Sequence, residues 1–220
     1  MSKLLIVAST EFEIEDFLTE HCKEISQTLF EVNNNKNIRI LITGMGIANC
    51  TLNLSKYLSE QTPDRALNVG FCGSFTPELK LGSILSVNID CFAELGIANE
   101  NSTITPFQTI IKNPKMLISL NACVKPKQKT EFGQITKVCR GVTVNSCTGT
   151  QQRADFFIND FMAETESMEG AAFVLTCNSY NIPCAQIRAV SNHIPGRQPE
   201  RWDILTAKTS LQQFLSEIIL

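Results

Sequence analysis

Lys3-Leu4-Leu5-Ile6-Val7-Ala8 is a short and almost continuous apolar run, and the polar segment Ser9-Thr10-Glu11-Phe12-Glu13 follows it directly. An apolar run of this length is typical of a strand that is covered on both faces of a parallel sheet. Similar runs recur along the chain, each rich in Val, Ile or Leu and bounded by Gly, Pro, Asn or Asp. They are Ile38–Thr43, Ala66–Phe71, Ile84–Ile89, Val138–Val144 and Ala185–Val190. The sequence therefore predicts a sheet built from these buried strands.

Helical patterns lie between the predicted strands. Apolar residues there repeat at spacings of three and four, which places them on one face of a helix. The repeats are Ile47, Cys50, Leu54 and Leu58; Met168, Ala172 and Leu175; and Leu211, Leu215 and Ile218. Strands that alternate with helices predict an α/β fold, here a three-layer α/β/α sandwich around a central twisted, mostly parallel (mixed) sheet. The sequence contains no stretch typical of a linker, so we expect a single domain over residues 1–220.

The overall composition excludes several classes of function. The 220 residues carry 19 Lys and Arg against 22 Asp and Glu, a net charge of −3, and lack the basic excess that nucleic-acid binding usually needs. The longest apolar runs, Leu4–Ala8 and Ala171–Leu175, are far shorter than the roughly 20 residues of a membrane-spanning helix. The first run is also too short for the apolar core of a secretory signal. We expect a cytoplasmic protein that has neither nucleic acid nor a membrane as a partner.

The cysteines and histidines predict neither disulfides nor a metal site. The nine cysteines are scattered, odd in number and placed inside apolar stretches, so we interpret them as small hydrophobic residues in a reducing compartment. The sequence has no Cys-x-x-Cys pair, and its two histidines, His21 and His193, lie far apart. We therefore expect chemistry without a metal or a cofactor.

Polar residues that follow the predicted strands are the first candidates for a site, because ligands of open α/β sheets bind at the carboxyl ends of the strands. Glu11 and Glu13 follow the first strand. They are either solvated acids at a helix N-terminus, where the macrodipole favours them, or carboxylates that hold a water for acid–base chemistry. Their position alone does not separate these two interpretations.

Two glycine-rich turns follow the next strands. Gly44-Met45-Gly46 opens a helix but lacks the third glycine of a dinucleotide fingerprint, because Asn49 stands there. Close backbone packing, with Met45 lining a pocket, explains this turn equally well. Gly70-Phe71-Cys72-Gly73-Ser74 places two glycines where the backbone turns sharply or approaches a ligand. A tight turn without a ligand is the ordinary alternative.

Glu169 and Asn192 are the last two candidates. Glu169 begins an apolar helix in front of small residues, and a glutamate is almost never fully buried unless it is paired. It is either an exposed N-terminal acid or a carboxylate that accepts hydrogen bonds from the vicinal hydroxyls of a ribose. Asn192 follows the last predicted strand, and its amide either caps a turn or binds along one edge of a heterocycle.

Five segments, taken in order, carry a resemblance to a known family. They are Ala-Ser-Thr-Glu-Phe-Glu at 8–13, Gly-Met-Gly at 44–46, Gly-Phe-Cys-Gly-Ser at 70–74, Ser-Met-Glu-Gly-Ala-Ala at 167–172 and Arg-Ala-Val-Ser-Asn at 188–192. Together they resemble the nucleoside phosphorylase and nucleosidase superfamily over nearly the whole chain. Three further segments are most similar to the futalosine hydrolase family, whose members release hypoxanthine by hydrolysis. They are Cys-Phe-Ala-Glu-Leu-Gly at 91–96, Val-Thr-Val-Asn-Ser at 142–146 and the stretch from Ser191 to Trp202.

The resemblance implies two catalytic residues. Glu13 would hold and deprotonate the attacking water, and Asn192 would receive the departing base, with Ser191 and Arg188 orienting it. The family also implies a homodimer whose partners are a small nucleoside, futalosine, and water.

The resemblance implies a substrate site around these two residues. Glu169 would bind the 2′ and 3′ hydroxyls of the ribose, Met168 would pack beneath the sugar, and Arg197 would pair with the benzoate of futalosine. The substrate-binding residues are in all Met45, Phe71, Gly73, Met168, Glu169, Arg188, Ser191 and Arg197.

Two departures from related enzymes favour hydrolysis and hypoxanthine. Phosphorylases of the superfamily commonly carry a Gly-Asp-Pro-x-Arg turn near the N-terminus, where this chain has Glu11 and Glu13, and a carboxylate there would repel phosphate. The related methylthioadenosine and adenosylhomocysteine nucleosidases have an Asp where this chain has Asn192, and that acid protonates N7 of adenine. An oxopurine leaves more easily as an anion, so a neutral amide suffices for hypoxanthine.

Other interpretations remain open at this level. A nucleosidase of the same fold that acts on methylthioadenosine, adenosylhomocysteine or aminofutalosine differs in its base, and an inosine-type phosphorylase would depend on phosphate. A non-catalytic nucleoside-binding module is disfavoured because Glu13 and Glu169 have no obvious duty in mere binding. A dinucleotide-dependent enzyme is disfavoured by the incomplete glycine fingerprint.

Overall fold

The computed structural model describes residues 2–100, 103–112, 123–129, 132, 135, 137–195 and 202–220. The strands of this part of the chain are β1 (Leu4–Ala8), β2 (Cys22–Ser26), β3 (Leu29–Val32), β4 (Asn35–Ile42), β5 (Arg65–Ser74), β6 (Ile84–Phe92), β7 (Gly96–Ala98), β8 (Ile104–Pro106), β9 (Cys123–Val124), β10 (Val138–Thr143), β11 (Thr165–Ser167) and β12 (Cys184–His193). The helices are α1 (Glu15–His21), α2 (Ile47–Glu60), α3 (Phe107–Ile110), α4 (Gln151–Phe161), α5 (Gly170–Ser179) and α6 (Ile204–Ile219), with a 3₁₀ turn at Glu11–Ile14.

The main sheet has the strand order β11-β10-β6-β12-β5-β1-β4-β3-β2, and β9 pairs with β6. Its central pairs β1–β4, β1–β5 and β12–β5 are parallel, whereas β12–β6 and the hairpin strands β2, β3 and β4 pair antiparallel. Strand β11 pairs with β10 and also, in antiparallel direction, with β5. Strands β5, β12, β6, β10 and β11 therefore form a closed ring of pairings. The sheet is mixed, as the sequence predicts.

Helices cover both faces of the sheet because the central strands are apolar on both faces. In β1 the side chains of Leu4 and Ile6 join the cluster formed with α1 and α6, and those of Leu5 and Val7 join the cluster formed with α2 and α5. This alternation follows from the two-residue period of a strand. The arrangement confirms the predicted α/β/α layers.

The predicted strands and helices are confirmed, with differences at their ends. All six apolar runs form β1, β4, β5, β6, β10 and β12, and each helical repeat falls in α2, α5 or α6. Met168 is an exception, because α5 begins at Gly170 and Met168 precedes it. The hairpin strand β2 escapes the sequence pattern because most of its side chains are exposed and no apolar run marks it.

Two cysteines contradict the expectation that all nine are reduced. Cys91 of β6 and Cys123 of β9 are partners across an antiparallel pair and form a disulfide. Strand pairing brings these residues together from a sequence separation of 32, which their spacing along the chain does not reveal. The other seven cysteines are free, and five of them are buried.

None of the helices in the described ranges is long and apolar enough to cross a membrane.

Candidate active site

A cavity of about 170 Å³ opens where the carboxyl ends of the parallel strands meet. The last residues of β5, β11 and β12 and the segments that follow β1, β4 and β10 all contribute to its wall, as expected for a ligand site of an α/β sheet. Its lining residues are Ser9, Glu13, Met45, Phe71, Cys72, Gly73, Cys147, Thr148, Glu166, Ser167, Met168, Glu169, Ser191, Asn192, Ile194 and Trp202. The structure thus brings together eight of the ten residues that the sequence proposes for the site.

Glu13 is buried and held from two sides. Its Oε2 accepts hydrogen bonds from the Ser9 hydroxyl and, at 3.1 Å, from the backbone N–H of Thr10. Its Oε1 accepts from the backbone N–H of Phe71 at 3.0 Å. Glu11 of the same turn is exposed, so only the second acid of the pair belongs to the cavity. These donors fix the Glu13 carboxylate and leave lone pairs for a water molecule.

Glu169 lies at the N-cap of α5 but is only 8% exposed, so it is not a solvated helix-terminal acid. Its Oε1 accepts a hydrogen bond of 2.7 Å from the backbone N–H of Gly46. Gly46 is the N-cap of α2 and has a φ of 89°, a conformation that favours glycine. Burial raises the pKa of Glu169; Arg188 and the Gly46 N–H counteract this shift, and Glu13 adds to it.

Asn192 stands at a β-bulge near the end of β12. The register shifts there, so that Val190 pairs with Cys72 and Asn192 pairs with Gly73. The hydroxyl of Ser191 donates to Asn192 Oδ1 at 2.9 Å, and the Asn192 amide nitrogen lies beside Gly73. Asn192 lines the cavity at this bulge, in keeping with the use of bulges next to active sites.

Arg188 lies behind the cavity wall and is not one of the lining residues found in the described part of the chain. It is 2% exposed, and its Nη2 donates to Asn68 Oδ1 and, at 3.4 Å, to Gln186 Oε1. A Cβ added at Gly70 would lie 2.7 Å from Glu13 Oε1 and 2.9 Å from Arg188 Nη1, so only glycine leaves these two groups in place. Arg197, the remaining predicted site residue, lies outside the described residues.

Asp90, near the end of β6, is a fully buried acid that does not line the cavity. Asp90 is 1% exposed, and its Oδ1 accepts a hydrogen bond of 2.8 Å from the Thr143 hydroxyl. Thr143 Oγ1 in turn accepts from the backbone N–H of Ala171 at 2.8 Å. Burial is the largest cause that raises the pKa of Asp90 to about 6, and Thr143, Arg188 and Gln186 oppose it.

The sequence pattern does not point to Glu166, which the structure places in the cavity wall. Glu166 is 5% exposed and accepts hydrogen bonds from both the backbone N–H of Thr148, at 2.9 Å, and the Thr148 hydroxyl. The loop that carries Thr148 is held by Glu94, which pairs with Arg153 and accepts from Asn145 N–H at 2.7 Å. The available signal was its position, because Glu166 stands directly before the Ser-Met-Glu-Gly-Ala-Ala motif at 167–172.

The charged side chains that line the cavity are all acidic. The cavity contains the carboxylates of Glu13, Glu166 and Glu169, and no Lys, Arg or His is among its lining residues in the described ranges. Such a site stabilises a cationic ribosyl group and disfavours an anionic cosubstrate. Within the same ranges, no group of three or more His, Cys, Asp or Glu residues is arranged to hold a metal ion.

Three comparisons describe what the chain is similar to. A 5′-methylthioadenosine/S-adenosylhomocysteine nucleosidase from Shewanella loihica is 24% identical over 241 residues, covering 99% of this chain and 98% of the relative. A futalosine hydrolase from Thermus thermophilus is 25% identical over 181 residues, covering 81% of this chain and 80% of the relative. The crystal structure of a 5′-methylthioadenosine/S-adenosylhomocysteine nucleosidase from Colwellia psychrerythraea, in complex with adenine, matches with a TM-score of 0.78 at 16% identity, covering 99% of this chain and 94% of that chain.

These similarities agree with the predicted fold and with the predicted class of enzyme. The structural match over nearly the full length confirms the nucleoside phosphorylase-like architecture. The names of the relatives describe nucleosidases and a hydrolase, which is the reaction class that the sequence predicts. The sequence model of the Phosphorylase superfamily matches residues 3–219, and the chain therefore belongs to this superfamily.

Proposed function

We propose that the protein hydrolyses the N-glycosidic bond of futalosine, releasing hypoxanthine and dehypoxanthine futalosine, in the futalosine route of menaquinone biosynthesis. One observation carries the proposal: Asn192, a neutral amide, lines the cavity, and the Ser191 hydroxyl donates to its Oδ1. In the proposed complex its amide NH₂ receives the base. An amide donates hydrogen bonds but cannot transfer a proton to a departing base. The site therefore suits a base that leaves without being protonated at N7, as an oxopurine does.

The nucleophile in this proposal is water activated by Glu13. Ser9, Thr10 and Phe71 hold the carboxylate so that it accepts the proton of a water as its oxygen bonds to C1′ of the ribose. The three cavity carboxylates and the lack of a cationic lining side chain in the described residues oppose the binding of phosphate. This electrostatic arrangement supports hydrolysis over phosphorolysis.

The ribose and the leaving base occupy the remaining wall. Glu169, held by the Gly46 N–H, accepts from the 2′ and 3′ hydroxyls, and Met168 packs beneath the sugar. The electron pair of the C1′–N9 bond stays with the base, whose O6 and N7 accept from the Asn192 amide. The hypoxanthine anion takes a proton from solvent, and Glu13 returns the proton of the water to solvent. The ribosyl cation that forms is stabilised by the surrounding carboxylates.

A third part of the site receives the 5′ substituent of the substrate. Trp202 lines the cavity and offers an aromatic surface for the 5′ substituent. The pairing of Arg197 with the benzoate and the homodimer that the family implies both stay predictions. A molar mass measured by size-exclusion chromatography tests the homodimer. A KM for futalosine that is unchanged in Arg197→Ala would remove Arg197 from the site.

A second candidate function is the hydrolysis of 5′-methylthioadenosine or S-adenosylhomocysteine. It is favoured by the extent of similarity, because the nucleosidase relative from Shewanella loihica covers 99% of the chain, whereas the futalosine hydrolase covers 81%. The two candidates differ at the base, since adenine carries an amino group where hypoxanthine carries O6.

One assay separates the candidates. The purified protein is incubated with futalosine, inosine, methylthioadenosine and adenosylhomocysteine, each with and without phosphate, and the released base is identified by chromatography. We expect hypoxanthine from futalosine at a rate that phosphate does not change. Release of adenine as the main product would instead establish the second candidate, and a requirement for phosphate would establish a phosphorylase.

A further inference from the structure

The chain between β10 and α4 forms one wall of the cavity, and residues 145–148 of it belong to neither a helix nor a strand. We call these four residues the wall segment. Cys147 and Thr148 line the cavity, and residues 145–147 are exposed. A segment outside helices and strands is well ordered only if other groups bind it. The contacts of the wall segment therefore decide how well this side of the cavity is formed before a ligand binds.

Glu94 lies beside the wall segment because of the strand register. Strands β6 and β10 are parallel, and Phe92 is the register partner of Thr143. Glu94 comes two residues after Phe92, and Asn145 comes two residues after Thr143. Glu94 Oε2 accepts from the backbone N–H of Asn145 at 2.7 Å and from Asn145 Nδ2 at 2.9 Å. A side chain that follows β6 thus holds the chain that leaves β10.

The second oxygen of Glu94 binds the wall segment and Arg153 of α4. Glu94 Oε1 accepts from Ser146 Oγ at 3.4 Å and pairs with Arg153. Arg153 Nη2 also donates to the carbonyl oxygen of Ser146 at 3.4 Å, and the guanidinium lies 5.1 Å from the centroid of the Phe157 ring. The side chains of Glu94 and Arg153 are only 20% and 16% exposed, so solvent screens this pair less than a surface pair. Both side chains therefore fix the wall segment from outside the cavity.

Glu166 holds the other end of the wall segment from inside the cavity. Its Oε1 accepts from the backbone N–H of Thr148 at 2.9 Å. Glu166 lines the cavity, whereas Glu94 is not among the lining residues in the described part of the chain. A change at Glu94 therefore alters the order of the wall without removing a group that a ligand touches.

We propose that Glu94 is a positioning residue for substrate binding, which together with Arg153 holds the wall segment in the conformation that a bound nucleoside contacts. The inference deepens the function proposed above and rests on it only for the choice of substrate. Residues 145–147 are exposed, so water can replace the lost contacts and the fold persists without Glu94. The wall segment must then become ordered when the substrate binds, and this loss of conformational entropy weakens binding.

The chemical step of the proposed mechanism does not use the wall segment. Glu13 is held by donors from β5 and from the turn that follows β1, and Asn192 belongs to β12. Loss of Glu94 should therefore raise KM and leave kcat nearly unchanged. A variant that only lost part of its folded population would instead show a lower apparent kcat at an unchanged KM.

Glu94→Ala removes both acceptor oxygens. We expect KM for futalosine to rise about tenfold, the equivalent of ordering roughly one residue on binding, while kcat stays within about threefold. Arg153→Met keeps an apolar side chain beside Phe157 and removes the charge, and it should raise KM as well. Because the two residues act as one unit, the double variant should raise KM by less than the product of the single effects. Fully multiplicative effects would contradict the joint role.

Glu164→Ala is the matched control. Glu164 likewise pairs with a cation, Lys137 at 2.9 Å, and accepts from a backbone N–H, that of Arg140 at 3.2 Å, but it does not line the cavity. This variant should keep KM and kcat within about twofold. Glu94→Gln retains one oxygen for the N–H of Asn145, so it should raise KM less than Glu94→Ala does. It replaces Glu94→Ala in the comparison if the alanine variant does not fold.

Three results would overturn the inference. They are an unchanged KM in Glu94→Ala, a kcat that falls while KM is unchanged, and an equal rise of KM in Glu164→Ala. A wild-type protein that releases adenine instead of hypoxanthine overturns the proposed function alone. The same variants are then compared on the adenine nucleoside that the protein hydrolyses.

Cys147 offers a measure of binding that does not depend on turnover. Its thiol is free and exposed and lines the cavity, so bound hypoxanthine, or adenine if that is the base released, should slow its alkylation by iodoacetamide. Peptide mapping identifies the alkylated residue, and Cys22, which does not line the cavity, is the internal reference. The concentration of base that halves the alkylation rate should be about tenfold higher in Glu94→Ala than in the wild type. Equal concentrations would overturn the inference.

Discussion

Glu13 and Asp90 are both buried acids at the carboxyl end of the sheet, yet their surroundings assign them different tasks. Glu13 is 9% exposed, lines the cavity and is held by donors that leave part of its carboxylate open. Asp90 is 1% exposed and lies against Thr143, Gln186 and Arg188, with no access to the cavity. The comparison teaches that burial of an acid does not identify a catalytic group. A candidate catalytic acid must in addition have carboxylate lone pairs that a ligand can reach.

The largest expected effect on catalysis is at Glu13, the acid that lines the cavity. Glu13→Gln keeps the shape and the contacts with Ser9 and Phe71 but cannot take a proton from water. We expect kcat for futalosine to fall about 10²–10⁴-fold, the contribution of a well-placed general base. Initial rates of hypoxanthine release measure this. A Glu13→Gln protein with full turnover would contradict the role of Glu13.

Glu169→Gln should have the next largest effect, because a neutral amide accepts more weakly from the ribose hydroxyls. We expect kcat/KM to fall roughly 10- to 100-fold. Burial raises the pKa of Glu169, so in the wild type kcat/KM should decline on acidification from a pH above the ordinary value of a glutamate. The ionised form is the active one, so activity is present above this pKa and lost below it. A pH profile that stays flat down to pH 4.5 would contradict this assignment.

Asn192→Asp tests how the base is received. The new carboxyl group can protonate N7, so adenine release from aminofutalosine should rise relative to hypoxanthine release from futalosine, by roughly 10- to 100-fold in the ratio of kcat/KM. Asn34→Asp, at an exposed turn, introduces the same charge far from the cavity and should leave the ratio unchanged. An unchanged ratio in Asn192→Asp would separate Asn192 from the base.

The smallest effect on catalysis is expected at Asp90, the acid that does not reach the cavity. Asp90→Asn should keep kcat within a few-fold but change the pH dependence of stability. In the folded state the pKa of Asp90 is raised from 3.8 to about 6, so its stabilising contribution is present below pH 4 and is lost as the pH rises through 6. This shift corresponds to roughly 3 kcal/mol in the free energy of unfolding.

Urea unfolding at pH 4 and pH 7 measures that change. The stability difference between Asp90→Asn and wild type should move in favour of the variant as the pH rises. Asp155→Asn, which replaces an exposed aspartate of α4, should follow the wild type at both values. A kcat that falls as far in Asp90→Asn as in Glu13→Gln would remove the distinction between the two acids.

The central strands and the covering helices follow from the sequence because each depends on local patterns. Apolar runs such as Leu4–Ala8 have no polar face, so they belong to the middle of a covered sheet. The hairpin strand β2 lies at an exposed edge, and its pairing with β3 depends on position more than on composition. The disulfide between Cys91 and Cys123 likewise depends on a pairing between distant segments.

The candidate site was predictable to the extent that its residues follow strands. Glu13 and Glu169 follow strands, Asn192 lies at the end of one, and the cavity contains all three. Glu166 was not predictable, because β11 is only three residues long and its second pairing, with β5, joins segments about 90 residues apart. Arg188 lies within a strand, and no sequence pattern states whether it faces the cavity or the layer beneath it.

Strand β5 pairs with β11 on one side and with β12 on the other, so Glu166 and Asn192 are both register partners of Gly73. The spacing between the acid and the amide is set by two steps of a backbone ladder, which loop insertions elsewhere do not disturb. An exchange of either side chain therefore changes the wall of the cavity while the backbone frame stays the same. Inheritance of the fold and divergence of the substrate become separable events, and relatives about a quarter identical in sequence can bear different substrate names.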